Sequence, residues 1–275
     1  MQRRWPLRCG HQAEEVNEVL HVQHEGAVLT ATLDTPPANA LDRQELTALG
    51  DLIRRVDDDP GGIRALVIRG GDRFFSGGVS INMISESASR SDGADAVGDF
   101  GSELQAVLNA LEKLSVPTVA AMRGSAVGGG LELALACDLR VAGVQSSYGL
   151  PESKLGLIPG GGGTQRLTEV AGRGTALRLI LLGELVSGAE AERLGIVQWS
   201  CPNDAVDDFA VALAARIADL SPTALAAAKR CIAVARSEHG FALEVQETRT
   251  LLTQNETQDR LERFLSGSRQ DRDAQ

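Results

Sequence analysis

Residues 124–138, GSAVGGGLELALACD, constrain the fold more than any other stretch of this chain. The apolar run 117–122 reads as a strand leading into it. Gly128, Gly129 and Gly130 follow, and then Glu132 stands alone among Leu and Ala. Glycines after a strand let the backbone take φ > 0 or pass close to a ligand. A helix that opens there presents unbonded N–H groups and the positive end of its dipole, which suit a developing negative charge. A carboxylate on an otherwise apolar helix costs free energy unless something requires it. The stretch asks for a strand–turn–helix unit. Taken alone it leaves two readings open: a reactive carboxylate, or a glycine turn with a surface glutamate.

Composition narrows the surroundings. Aromatics are only 3% of the 275 residues, while glycines number 30, which favours close-packed α/β layers over an aromatic-rich sandwich. The net charge of −10 opposes binding to nucleic acid or to an anionic membrane surface, so neither partner is expected. No apolar run reaches the ~20 residues of a membrane span. Cys9, Cys137, Cys201 and Cys231 are scattered without a CxxC pair, which reads as reduced thiols in a cytoplasmic protein. His11, His21, His24 and His239 lack metal-ligand spacing, so no metal is expected. Residues 1–17 are basic at the start without the apolar core of a signal peptide and read as a flexible extension.

Along the chain, residues 19–33 read as two strands joined at Glu25 and Gly26. Asp42 is placed to cap a helix carrying Leu46, Leu49, Ile53 and Val56 at helical spacing. Residues 63–69 form the next strand, and Phe74-Phe75-Ser76-Gly77-Gly78-Val79-Ser80 a second glycine turn after a strand. Residues 85–99, rich in Ser, Asp, Ala and Gly, read as a mobile loop, followed by a helix over 101–114. Residues 139–142 read as a strand, Gly160-Gly161-Gly162-Gly163 as a loop into a helix, then helices over 174–182 and 188–194 and a strand at 196–199. From Asn203 onward the pattern is helical. The expected division is an α/β body over 18–203 and a helical region over 204–275.

Two glycine turns that each follow a strand can aim backbone N–H groups at one shared oxygen. Such an oxyanion hole stabilises a carbonyl oxygen taking on enolate character, each donor contributing ~3 kcal/mol in the transition state. Glu132 and Glu152, both beside such turns, are a carboxylate pair suited to moving a proton at the carbon next to that carbonyl.

These residues lie in an ordered set of motifs: Pro36-Pro37-Ala38-Asn39-Ala40-Leu41, Phe75-Ser76-Gly77-Gly78, GSAVGGGLELA from Gly124, Cys137-Asp138, Pro151-Glu152, GLIPGGGGTQRL from Gly156, and Ser221-Pro222-Thr223-Ala224-Leu225 with Lys229. Over residues 18–265 the chain resembles the crotonase, or enoyl-CoA hydratase/isomerase, superfamily. The resemblance implies a spiral of repeated ββα units with a C-terminal helical trimerisation region, assembled as a homotrimer or as a dimer of trimers. It implies an acyl-CoA thioester as substrate, with coenzyme A part of that substrate and no separate cofactor. Carried onto this chain, the oxyanion donors would be Gly77 and Gly129, and the catalytic pair Glu132 and Glu152. Substrate contacts would come from Ala38, Ala40, Ser76, Gly78, Val79, Ser80, Ile81, Gly128, Pro151, Gly160 and Phe264. Both glutamates together favour a 2-enoyl-CoA hydratase; a double-bond isomerase and a non-catalytic scaffold are the alternatives. Departures from the family pattern are Gly77 for the usual Ala, Ser80 for the usual Asp, Asn82 for a frequent Lys, and Gly267-Ser268 where basic residues are common.

Overall fold

The computed structural model describes residues 12–16, 19–59, 61–235 and 237–273. Most of the expected flexible extension over 1–17 lies outside the described residues; Gln12–Val16 form strand β1, antiparallel to β2 (Leu20–Glu25). β3 (Val28–Leu33) pairs antiparallel with β2. β4 (Ala40–Leu41) leads into α1 (Arg43–Asp57), and β5 (Ala65–Arg69), β6 (Phe74–Ser76) and β7 (Gly78–Val79) follow. Next come α2 (Ile81–Ala88), α3 (Gly93–Lys113), β8 (Thr118–Met122), β9 (Ser125–Val127) and α4 (Gly129–Ala136). β10 (Leu139–Gly143), β11 (Ser147–Gly149) and a 3-10 turn (Glu152–Leu155) precede α5 (Gly163–Leu182). β12 (Val186–Ser187), α6 (Gly188–Arg193), β13 (Trp199–Cys201) and α7 (Val206–Ala218) follow, then α8 (Pro222–Ala233), α9 (Glu238–Leu252) and α10 (Asn255–Asp273).

Seven strands form one sheet in the order β1-β2-β3-β5-β8-β10-β13, four a second in the order β12-β11-β9-β6, and β4 pairs with β7. Three times the chain passes through the large sheet, then the small sheet, then a helix: β5–β6–α2/α3, β8–β9–α4 and β10–β11–α5. β3, β5, β8, β10 and β13 run parallel, and their apolar residues, Leu66, Val67, Ile68, Val119, Ala120 and Val141 among them, are fully buried. Parallel strands covered on both faces read as continuous apolar runs, which is why residues 63–69 and 117–122 were legible as strands.

α1 forms for the reasons its sequence supplies. Asp42 accepts from the Gln44 N–H at 2.7 Å, and Glu45 accepts back from the Asp42 N–H at 3.1 Å, a reciprocal capping box. Leu46, Leu49, Ile53 and Val56 are buried on one face.

Three expectations change. Residues 85–99 are not one loop: α2 and the first turns of α3 cover all but 89–92, a short turn between the two helices. Their small polar residues have weak intrinsic helix preference, but Phe100, Leu104, Leu108 and Leu111 bury one face of α3, and tertiary packing decides. The strand expected at 196–199 begins instead at Trp199, where Val141, Ala142 and Gly143 of β10 provide the ladder. The helix expected over 174–182 also starts earlier, at Gly163, the last residue of the glycine run, and is broken only at Gly172, whose φ is +79°.

The compact unit that holds the sheets ends at Ile217, and a helical unit begins at Ala218. Among the described residues, no single helix is long and apolar enough to cross a membrane.

Candidate active site

The site forms at one edge of the smaller sheet. β6, β9 and β11 lie side by side and parallel, with Ala126 opposite both Ser76 and Tyr148. Parallel strands deliver their following turns to the same end, so three segments distant in sequence meet: 77–80, 128–130 and 150–152.

The first two segments touch backbone to backbone. A Cβ on Gly130 would stand 2.2 Å from the Ser76 carbonyl oxygen, and one on Gly129 3.1 Å from the Val79 nitrogen. Gly129 is the first residue of α4, where the helix offers its N–H no acceptor.

The donor facing it is not the one expected. The Gly77 N–H donates to the Ala38 carbonyl at 2.7 Å and is committed to the protein. The Ser80 N–H donates to the Leu41 carbonyl at 3.1 Å across the β4–β7 pair. Adjacent peptide N–H groups of a strand point to opposite sides, so with the Ser80 N–H on β4 the Val79 N–H faces away from it, on the side where Gly129 lies. Gly77 is therefore corrected to a turn residue, and Val79 and Gly129 are the facing N–H pair.

The neighbouring residues support this edge. Ser76 is fully buried; its hydroxyl donates to the Asn39 carbonyl at 2.6 Å and accepts from the Gly78 N–H at 3.1 Å. It braces the turn from within and presents no surface to a substrate. Asn39, with φ +49°, donates through Nδ2 to the carbonyls of Phe74 and Phe75 at 3.2 and 3.1 Å. Ala38 and Ala40 are half-buried beside β7, and the Ser80 hydroxyl accepts from the Met83 N–H at the start of α2, whose first residue, Ile81, is exposed. Pro151 is half-buried, and Gly160 is exposed with its carbonyl held by Gln105 at 2.6 Å. Phe264 lies on α10 in the helical unit, 73% exposed.

Glu132 sits in the first turn of α4, 1% exposed. One oxygen, Oε1, accepts from the Gly161 N–H at 2.8 Å and the Gly163 N–H at 2.7 Å. A Cβ on Gly161 would stand 2.8 Å from Oε2, and one on Gly163 2.9 Å from Oε1. The glycine run 160–163 thus grips a carboxylate of its own chain. Burial pushes the Glu132 carboxyl up, while the two N–H groups and the Arg166 charge pull it back.

Glu152 follows β11, and its Oε1 lies where a Cβ on Gly128 would be only 3.0 Å away. Gly128 itself has φ +56°, so both its backbone and its neighbour call for glycine. Glu152 Oε2 is buried and accepts no hydrogen bond from any described residue. Burial pushes this carboxyl up to about 7, and the negative charge on Glu132 acts in the same direction.

Two convergent N–H groups, a clamped carboxylate and a second carboxyl poised near neutrality can hold a carbonyl oxygen and move a proton beside it. With the repeated ββα course, they define a protein of crotonase type. The sequence model described as "Enoyl-CoA hydratase/isomerase" matches residues 23–268. The chain is 40% identical over 200 residues to a "Probable enoyl-CoA hydratase" of Bacillus subtilis, covering 72% of this chain and 76% of that protein. It is 37% identical over 247 residues to the "2,3-dehydroadipyl-CoA hydratase" of Escherichia coli, covering 88% and 92%. The solved structure of Pseudomonas aeruginosa DspI superposes with a TM-score of 0.85 at 34% identity, covering 92% of this chain and 96% of that one. The chain belongs to the enoyl-CoA hydratase/isomerase family, the crotonase superfamily.

Proposed function

We propose that the chain hydrates a 2-enoyl-CoA thioester, adding water across the C2=C3 bond. The observation that carries this reading is the pairing of the Val79 and Gly129 N–H groups with a buried carboxyl, Glu132, and a half-buried one, Glu152, in different environments. The thioester oxygen accepts from both N–H groups as it takes on enolate charge. Glu132, held by Gly161 and Gly163, accepts a proton from the water whose oxygen attacks C3. Glu152, protonated near neutral pH, gives its proton to C2. A proton passing back from Glu132 to Glu152 restores the starting state. Coenzyme A is part of the substrate in this reading, and no separate cofactor enters.

Loss of enoyl-thioester absorbance with crotonyl-CoA and branched, cyclic or dicarboxylic analogues tests the proposal. Glu132→Gln and Glu152→Gln should each lower kcat by about 10²–10⁴-fold. No turnover across the whole panel would overturn it. A second reading has one observation in its favour: Glu152 Oε2 is buried at the site and accepts no hydrogen bond from any described residue, as a single-base double-bond isomerase requires. Product analysis with a 3-enoyl-CoA in Glu132→Ala separates the two, because only the isomerase would survive that change.

The resemblance also supports a cytoplasmic homotrimer or dimer of trimers. Leu181, Leu182 and Phe241, each at least two-thirds exposed, supply apolar surface for contacts between copies. Light scattering on the purified protein tests the assembly.

A further inference from the structure

Arg166 takes no part in the proton transfers above, yet it is 6% exposed and joins three segments of the site. Its Nη1 donates to the Gly161 carbonyl at 2.9 Å. Its Nη2 donates to Asn109 Oδ1 at 2.5 Å, and Nε and Nη2 reach Glu112 Oε2 at 3.2 and 3.0 Å. Asn109 and Glu112 lie on α3; Gly161 lies in the turn whose N–H groups hold Glu132. Gly162, between the two gripping residues, has φ +102°, and a Cβ there would stand 2.3 Å from Nη1. The turn can close over the guanidinium only because that residue is glycine.

We propose that Arg166 is a positioning residue for Glu132: it fastens the 160–163 turn to α3 and so fixes the N–H pair that holds the carboxylate. What Glu132 does chemically rests on the hydratase reading; the clamp does not. The charged groups facing Glu132 are Arg166 from α5, Glu112 behind it on α3, and Glu152 from the 3-10 turn. Arg166 is the only cation among them, so it also favours the ionised carboxylate that accepts the water proton. Were Arg166 only a staple between α3 and α5, its loss would lower Tm and leave the titration of Glu132 unchanged.

The test is a ¹³C-carboxyl NMR titration of the full chain, with the Glu132 signal assigned by its loss in Glu132→Gln, alongside kcat and KM against pH. Arg166→Met should raise the Glu132 midpoint by about one pH unit or more. It should also lower kcat about 10- to 100-fold with little change in KM, as a displaced base does. Arg166→Lys should recover part of both effects. Glu112→Gln removes the counter-charge and should move the midpoint the other way, by a few tenths of a unit. A folded Arg166→Met with unchanged midpoint and kcat overturns the proposal. If Arg166→Met does not fold, a Glu112→Gln midpoint that is unmoved or raised overturns it. A wild type that turns over no enoyl-CoA removes the hydratase reading, while the titration still decides the role of Arg166.

Discussion

Gly78 and Gly129 meet so closely that a Cβ on Gly78 would stand 2.9 Å from the Gly129 nitrogen and 2.6 Å from the Val127 carbonyl oxygen. Gly78 also has φ +91°, which strains any other residue. Gly78→Ala must therefore push β7 away from α4 and separate the Val79 and Gly129 N–H groups. A loss of about 10²–10³ in kcat is expected, the effect of removing one oxyanion donor, together with a lowered Tm. Gly77→Ala is the control. Its φ is ordinary and its Cβ would meet only the Ala38 methyl at 3.1 Å and carbonyl at 3.4 Å, so stability should stay within about 0.5 kcal/mol and kcat should be preserved. Equal damage from the two changes would contradict the assignment of Val79.

Glu152, with its carboxyl pushed up to about 7 by burial, sets a pH dependence. Hydration requires it protonated, so kcat/KM for hydration should fall as pH rises through about 7. Dehydration of the 3-hydroxyacyl-CoA requires it ionised, so that profile should fall as pH drops through the same region. Because kcat/KM reports the free enzyme, the two limbs should share a midpoint. Parallel limbs in both directions would exclude Glu152 as the group that exchanges the C2 proton.

The same carboxyl links the site to stability. An unfolded glutamate titrates near 4.5. Below that value Glu152 is protonated in both states and contributes no difference. Between about 4.5 and about 7 the folded state keeps a proton that the unfolded state releases, so stability falls as pH rises, and the cost is complete above 7. Partial solvation of the group reduces that cost to about 1–2 kcal/mol. Glu152→Gln is neutral throughout. Its Tm should exceed that of the wild type at pH 8 and match it at pH 4, measured by calorimetry. A Tm gain that is equal at both pH values would mean that something other than ionisation is responsible.

How far the sequence reveals this site depends on whether the deciding contact is local. α1 was readable because Asp42 caps it within three residues and its apolar spacing is regular. Glu132 was readable as a carboxylate after a glycine turn, on the first turn of a helix. The choice between Gly77 and Val79 was not readable, because it depends on which way each peptide faces across the two-residue strands β4 and β7. The 160–163 run was visible as a loop, but its partner, Glu132, lies 29 residues before Gly161 and nothing local announces it. α3 was hidden over 93–99 because its helical state comes from packing and not from propensity. Asn39 lay inside a recognised motif, yet its left-handed backbone and its reach to β6 appear only in three dimensions.

Asn39 gives the last prediction, since it supports the site without touching the reacting groups. Its Nδ2 donates to the Phe74 and Phe75 carbonyls of β6, its Oδ1 accepts from the Thr35 N–H at 2.9 Å, and its own carbonyl receives the Ser76 hydroxyl. It is 8% exposed, and removing the amide takes a donor from the buried Phe75 carbonyl and the acceptor from the half-buried Thr35 N–H, while the Phe74 carbonyl keeps the Gly71 N–H at 2.9 Å. Asn39→Ala also places a residue without a side-chain amide at φ +49°. A loss of about 2–4 kcal/mol is expected in denaturant unfolding. Asn39→Gly relieves the backbone strain but not the lost bonds, so it should recover only about 1 kcal/mol of that. Because the amide bridge from Asn39 to β6, which leads into the Gly77–Val79 turn, is lost, kcat in either variant should fall more than KM rises. Full recovery by glycine would show that the positive φ alone, and not the amide bridge to β6, accounts for the loss.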